Sequence, residues 1–213
     1  MKKYELTAEF IEKWGKKLFR IKALISFGSV EAGELGGYVE KEDNLAQDGD
    51  AWVYGDAWVY GNAWVSGNAW VYGNARVYGD AEVSGNARVY GDAEVYGNAW
   101  VSGGAEVSGN ARVYGNAWVY GDARVSGNAD YLLIGRIGSR FSFTTFFKNK
   151  DKGITVSCGC FLGTIAEFRA KVTDTHGNNK HAKMYNLAAD MAELQILGEE
   201  HFDKLNTNKS EPF

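Results

Sequence analysis

The chain has 213 residues, 45% hydrophobic and 14% aromatic, with 27 glycines and a single proline, which excludes a collagen-like, a proline-rich or a disordered chain. Its 23 basic and 27 acidic side chains leave a formal charge of −4, which argues against a nucleic-acid binder. Two cysteines point to a reducing compartment; with no secretory leader or apolar run of about 18 residues in view, a cytoplasmic protein off the membrane is expected.

The first elements are strands. Tyr4–Leu6 and Lys17–Leu24 read as partners, with Thr7–Trp14 as a short helical turn before Gly15. Val39 and Leu45 lie six apart and open the coil irregularly near Gly37, and the gap of eight from Leu45 to Val53 marks an irregular corner. Residues 1–38 are expected to cap the coil end, where unpaired strand groups would otherwise be open to other chains.

From Gly49 to Gly127 a glycine recurs every six residues, fourteen times without insertion. Each unit reads Gly, Asn or Asp, Ala, then Trp, Arg or Glu, Val, and Tyr or Ser; Gly104 is the departure at the Asn/Asp position. Alanine keeps its place from Ala51 to Ala129, and valine from Val53 to Val125. So strict a short period predicts a solenoid. Within each unit the valine faces one side of a short strand while its neighbours face the other. Gly-Asn/Asp supplies a corner, and alanine leaves room for the chain to turn over a narrow core. A helix is excluded, because glycine at every sixth residue would cost about 1 kcal/mol each relative to alanine.

Residues 49–129 resemble the hexapeptide-repeat family, with Val at the inward aliphatic position and Ala at the small position four residues later. The resemblance implies a mainly β fold: a left-handed parallel β-helix, triangular in section, with four to five coils over 49–129 in a domain spanning 39–132. Three hexads make each coil, so that position i lies over position i+18. Read at that spacing, the sequence forms columns. Arg76, Glu94, Arg112 and Asp130 alternate in sign on one face. Arg88, Glu106 and Arg124 follow Trp52 and Trp70 on a second, and Trp64, Glu82, Trp100 and Trp118 lie on the third. No like charges stack directly, as cross-strand pairing requires, and in the corner column Asp56, Asn74, Asp92, Asn110 and Asn128 no Asp falls next to another.

Beyond Asp130, 141–147 and 154–161 read as a hairpin across Asn149–Gly153. Thr164 and Glu167 form a capping box for a helix that ends at Gly177. A second helix spans about 180–197, with Met184, Leu187, Ala188, Met191 and Leu194 on its apolar face. Residues 133–205 are expected to form a small ββαα domain that caps the other coil end, and 206–213 a frayed tail. The run from Asp130-Tyr131-Leu132-Leu133 through Cys158-Gly159-Cys160 resembles the tail of phage and bacterial hexapeptide-repeat proteins, which implies a fold and no activity.

Hexapeptide-repeat proteins include acyltransferases in which a coil or loop histidine acts as general base. Here His176, His181 and His201 all lie beyond the coils, and Arg76, Arg88, Arg112 and Arg124 are the coil's cations. Cys158-x-Cys160 with His176 and His181 is a zinc-type ligand set, but Ile154, Val156, Cys158 and Cys160 alternate as a buried strand face would. No metal or cofactor is expected. The outward aromatics carry the leading expectation. Tyr60, Tyr78, Tyr96 and Tyr114 form an unbroken column, and Trp52, Trp58, Trp64 and Trp70 ring the first coils ahead of Trp100 and Trp118. The expected function is a non-enzymatic scaffold or binding protein that self-associates through these faces, a trimer by family resemblance. A phage-type protein sequestering a small nucleotide-like ligand between subunits is the alternative, with Tyr and Trp stacking the base and Arg76, Arg88 or Arg112 meeting phosphate. A divergent acyltransferase is the third.

Overall fold

A computed structural model describes residues 2–207. The chain divides into two units, Met1–Asn128 and Ala129–Phe213. Among the described residues no helix is long and apolar enough to cross a membrane.

The first unit opens with β1 (Tyr4–Lys13), β2 (Lys16–Ala23) and β3 (Leu35–Val39). β1 pairs antiparallel with β2, and β2 with β3. The segment expected as a helical turn, Thr7–Trp14, is strand as far as Lys13, with Trp14 in the turn before β2: Phe10–Lys13 find their partners in Phe19–Lys16, and pairing overrides local preference. Thirteen two-residue strands follow among the described residues, β4 (Trp52–Val53) through β16 (Arg124–Val125). They stack into three parallel sheets in which every third strand pairs, as in Trp52↔Trp70↔Arg88↔Glu106↔Arg124. The result is a β-solenoid of about five coils, with position i over position i+18.

A typical unit bonds to the coil above it at three points. Arg76 N–H donates to the Ala93 carbonyl at 2.9 Å, Tyr78 N–H to Val95 at 3.0 Å and Asn74 N–H to Gly91 at 2.8 Å. Corner amides add a side-chain rung, with Asn74 Nδ2 donating to Asp92 Oδ1 at 3.0 Å and Asn62 Nδ2 to Asp80 Oδ1 at 3.0 Å. The Ala and Val columns fill the interior; Ala51 to Ala123 and Val53 to Val125 are at most 1% exposed.

The first coil departs from the common interval. Val39 pairs with Val59 and Leu45 with Val65, two positions more than elsewhere. The two extra residues fall between Leu45 and Val53, where the sequence spacing placed an irregular corner. Polar side chains fill the hydrogen bonds there. Lys3 Nζ donates to the carbonyls of Asp48, Gly49 and Ala51 at 3.2, 3.3 and 3.0 Å. Tyr4 OH donates to the Glu42 and Leu45 carbonyls, and Asn44 Nδ2 to Gly61 and Ala63.

The second unit is a four-stranded antiparallel sheet, β17 (Tyr131–Ile137), β18 (Ser142–Lys148), β19 (Ile154–Cys158) and β20 (Phe161–Thr164), in that order. Helices α1 (Ile165–His176), α2 (Lys180–Leu197) and α3 (Glu199–Thr207) follow. The hairpin across Asn149–Gly153 is present, but the expected ββαα unit gains a strand on each side and a third helix. Of the tail expected to be frayed, 206–207 end α3, and the rest lies outside the described residues. Thr164 caps α1 in the expected box: its Oγ1 accepts from Glu167 N–H at 3.2 Å, and Glu167 Oε2 accepts from Thr164 N–H at 2.8 Å.

The apolar face expected for α2 is mostly the outward one. Met184, Leu187, Met191 and Leu194 are 39–63% exposed, while Ala182, Ala188, Ala189 and Ala192 are buried with Tyr185 and Ile196. Small side chains let α2 lie close to α1 and the sheet, and the larger ones are left on the far side. Arg169 on α1 ties the pair together, donating to Asp190 at 2.7 Å and Glu193 at 2.8 Å.

Candidate functional site

The solenoid's outer surface carries three different aromatic arrangements. At one corner the rings of Tyr60, Tyr78, Tyr96 and Tyr114 stack at 5.0, 4.9 and 5.3 Å between centroids, with planes within 14°. Identical residues at identical coil positions must sit one strand spacing apart, and flat rings then lie nearly parallel. Burial raises the Tyr60 hydroxyl's pKa; for Tyr78, burial and the adjacent Glu94, whose Oε2 accepts its hydrogen bond at 3.2 Å, act in the same direction. Tyr72 and Tyr90 form a second stacked pair at 4.8 Å, which the same spacing finds once read from Tyr54. Trp14 adds itself near the first column, 5.8 Å from both Tyr60 and Trp58; the alternation of Leu6, Ala8 and Phe10 was the signal that this segment is extended.

The tryptophans separate by environment. Trp52, expected outside, is fully buried beneath Tyr4 and Phe27, at 6.1 and 5.4 Å. The N-terminal strands cover it, and its Nε1 has no partner among the described residues. Trp58 and Trp70 are half-buried, with Arg76 over one ring at 5.0 Å and Arg88 over the other at 5.3 Å. Trp64, Trp100 and Trp118 belong to the remaining sheet, whose strands run in the order Trp118, Trp100, Glu82, Trp64. Trp64 is 46% exposed, Trp100 37% and Trp118 41%. Trp100 meets Trp118 edge-on at 5.1 Å and donates from Nε1 to Ser84 Oγ at 3.1 Å.

The coil arginines are committed to their own columns. Glu94 accepts Arg76 at 3.4 Å and Arg112 at 3.8 Å, and Glu106 lies 3.4 Å from Arg124. Asp130, placed fourth in its column by spacing, sits in the turn Asn128–Asp130 and pairs with Lys148 at 3.1 Å.

In the second unit the proposed ligand cluster separates. Ile154 and Val156 are buried and Cys158 half-buried, but Cys160 is exposed in the turn after β19, because the strand ends at Cys158. His176 and His181 face each other at 5.8 Å. Among the described residues no three His, Cys, Asp or Glu side chains are grouped to hold a metal. Cys158 and His176 instead line a cavity of about 350 Å³ together with Arg140, Lys171 and Tyr185. Those three carry no repeat or spacing signal, since they come from a turn and two helices.

Compared with known proteins, the model of the YdcK beta solenoid repeat matches residues 57–73, 69–85 and 105–121. No curated protein matches the chain.

Proposed function

We propose that the protein is a non-enzymatic β-solenoid scaffold that self-associates, as a trimer, through the face bearing Trp64, Trp100 and Trp118. One observation carries this reading: three coil indoles, each more than a third exposed, share one sheet, while the coil tryptophans of the other faces, Trp52, Trp58 and Trp70, are buried or half-buried under neighbouring side chains. Aromatic side chains gathered on a flat, rigid surface supply large contact area at low entropic cost. The hexapeptide-repeat resemblance supports the same picture, with a left-handed coil, assembly through coil faces and N-terminal strands acting as a cap.

The nucleotide reading draws less support from the geometry. Tyrosine rings stacked at 4.8–5.3 Å fill the space a base would enter, and Arg76 and Arg112 already bind Glu94.

Sedimentation velocity tests the proposal. The parent chain is expected to sediment at three times its 23.4 kDa mass, and the triple variant Trp64→Ser, Trp100→Ser, Trp118→Ser as a monomer with unchanged far-ultraviolet dichroism. A monomeric parent chain, or a triple variant that still assembles, would refute it.

A further inference from the structure

The cavity in the second unit has a chemistry of its own. Its walls come from the turn after β17, the end of β19, and helices α1 and α2. At about 350 Å³ it equals roughly a dozen water volumes at about 30 Å³ each, within the range of small-molecule pockets. One side is apolar. Phe161 lies 5.6 Å from Phe168, and Phe168 meets Tyr185 edge-on at 5.6 Å, so the three rings form one aromatic wall of the cavity. The other side is basic: Arg140, Lys171 and His176 line it, and no carboxylate does. Lys171 shares its charge with Asp174 at 3.1 Å, whereas Arg140 makes no ion pair among the described residues. His176 lies at the C-terminal end of α1, stacked on Tyr185 at 5.8 Å.

The wall is also held in place. A side chain at Gly138 would collide with the Tyr185 hydroxyl, so glycine there lets the turn close onto that ring. Cys158 Sγ accepts from Thr144 Oγ1 at 3.2 Å and lies near the Tyr185 hydroxyl. Burial first, and then Cys158, push the Tyr185 hydroxyl up to about 12, which keeps its proton in place at neutral pH.

We propose that this cavity binds a small organic anion, a flat apolar body against the Phe161/Phe168/Tyr185 wall with its carboxylate or phosphate at Arg140. Apolar enclosure supplies affinity, and the planar guanidinium supplies bidentate recognition of the oxyanion. The site lies wholly within the second unit and stands whether or not the solenoid self-associates.

Cys158 reports occupancy. In a Cys160→Ser variant of the whole chain, the alkylation rate of Cys158 by N-ethylmaleimide is measured by mass spectrometry. Benzoate and phenyl phosphate are the anionic probes, and benzamide is the neutral control. The expected result is a several-fold slowing by either anion and little by benzamide, with Arg140→Lys weakening the difference and Arg140→Gln abolishing it. No slowing by either anion, or equal slowing by benzamide, would overturn the proposal. The comparison of probes in the Cys160→Ser protein decides it even if an Arg140 variant folds poorly.

Discussion

Replacing one repeat glycine tests why the solenoid requires glycine at every corner. Gly103 has φ +67°, and a Cβ added there would meet the Gly121 amide nitrogen of the next coil at 2.8 Å. Gly121 has nearly the same backbone, φ +69°, but a Cβ there meets nothing within 4 Å. Gly121→Ala therefore isolates the left-handed conformational penalty, about 1–2 kcal/mol. Gly103→Ala adds a collision with backbone, which cannot swing aside as a side chain would, and overpacking of this kind costs roughly 1–3 kcal/mol more. All seven tryptophans lie within the first unit, so tryptophan fluorescence during urea unfolding follows the solenoid without interference from the second unit. The Gly103→Ala midpoint is expected well below that of Gly121→Ala, with both below the parent protein. Equal destabilisation would refute the claim that contact between stacked corners, beyond the positive φ, dictates the glycine column.

Lys3 sets a second test. It is buried, and desolvation outweighs the pull of Asp48 and Asp50, lowering its pKa from an ordinary 10.5 to about 8. Between those values the unfolded state holds the extra proton, so stability should rise from pH 8 toward 10, by at most about 1.4 kcal/mol per pH unit. Above pH 10 it should fall, because Tyr4 and Tyr78 have raised pKa values and the unfolded tyrosines ionise first. Fluorescence-monitored unfolding of the parent and Lys3→Met proteins across this window checks the sign; an equal rise in Lys3→Met would assign it elsewhere. In the second unit, Arg169→Met strands the buried Glu193 carboxylate and should cost about 3–5 kcal/mol. Adding Glu193→Leu should recover most of that loss, as read from the helical dichroism melt, and no recovery would show that Arg169 matters through Asp190 or packing.

The coils were legible because each residue's surroundings repeat. A valine at one position meets a valine three hexads on, so the columns, the paired charges and the stacked tyrosines all follow from one interval. Even the exception obeyed this logic: the longer gap from Leu45 to Val53 became a longer first coil, with Val39 over Val59 and Leu45 over Val65. Legibility failed where a partner distant in sequence decides the environment. Trp52 has the same local context as Trp58, yet Tyr4 and Phe27 bury it. Thr7–Lys13 became strand, with Lys16–Phe19 beside its second half, and the α2 stripe reversed because a close neighbour favours alanine over leucine.

The same distinction explains why one face of the solenoid stands apart. Where the coil interval places a ring over a ring, as in the tyrosine column, each stacked ring covers part of the next, so that Tyr60, Tyr78 and Tyr96 are half-buried while Tyr114 at the column's end is 49% exposed. Where it places an arginine after a tryptophan, as at Trp58–Arg76 and Trp70–Arg88, the guanidinium lies over the indole. On the third face it places Glu82 between Trp64 and Trp100, and a carboxylate cannot cover an indole as a cation does, since both the ring face and the carboxylate are negative. Trp100 and Trp118 then meet edge-on and stay 37% and 41% exposed. The outward indoles are thus a consequence of which residue occupies the neighbouring coil. Replacing Glu82 with arginine would extend the cation–indole pattern of the other faces to this one. Glu82→Arg should therefore shift the protein from trimer toward monomer in sedimentation velocity; unchanged assembly would show that the uncovered indoles do not drive it.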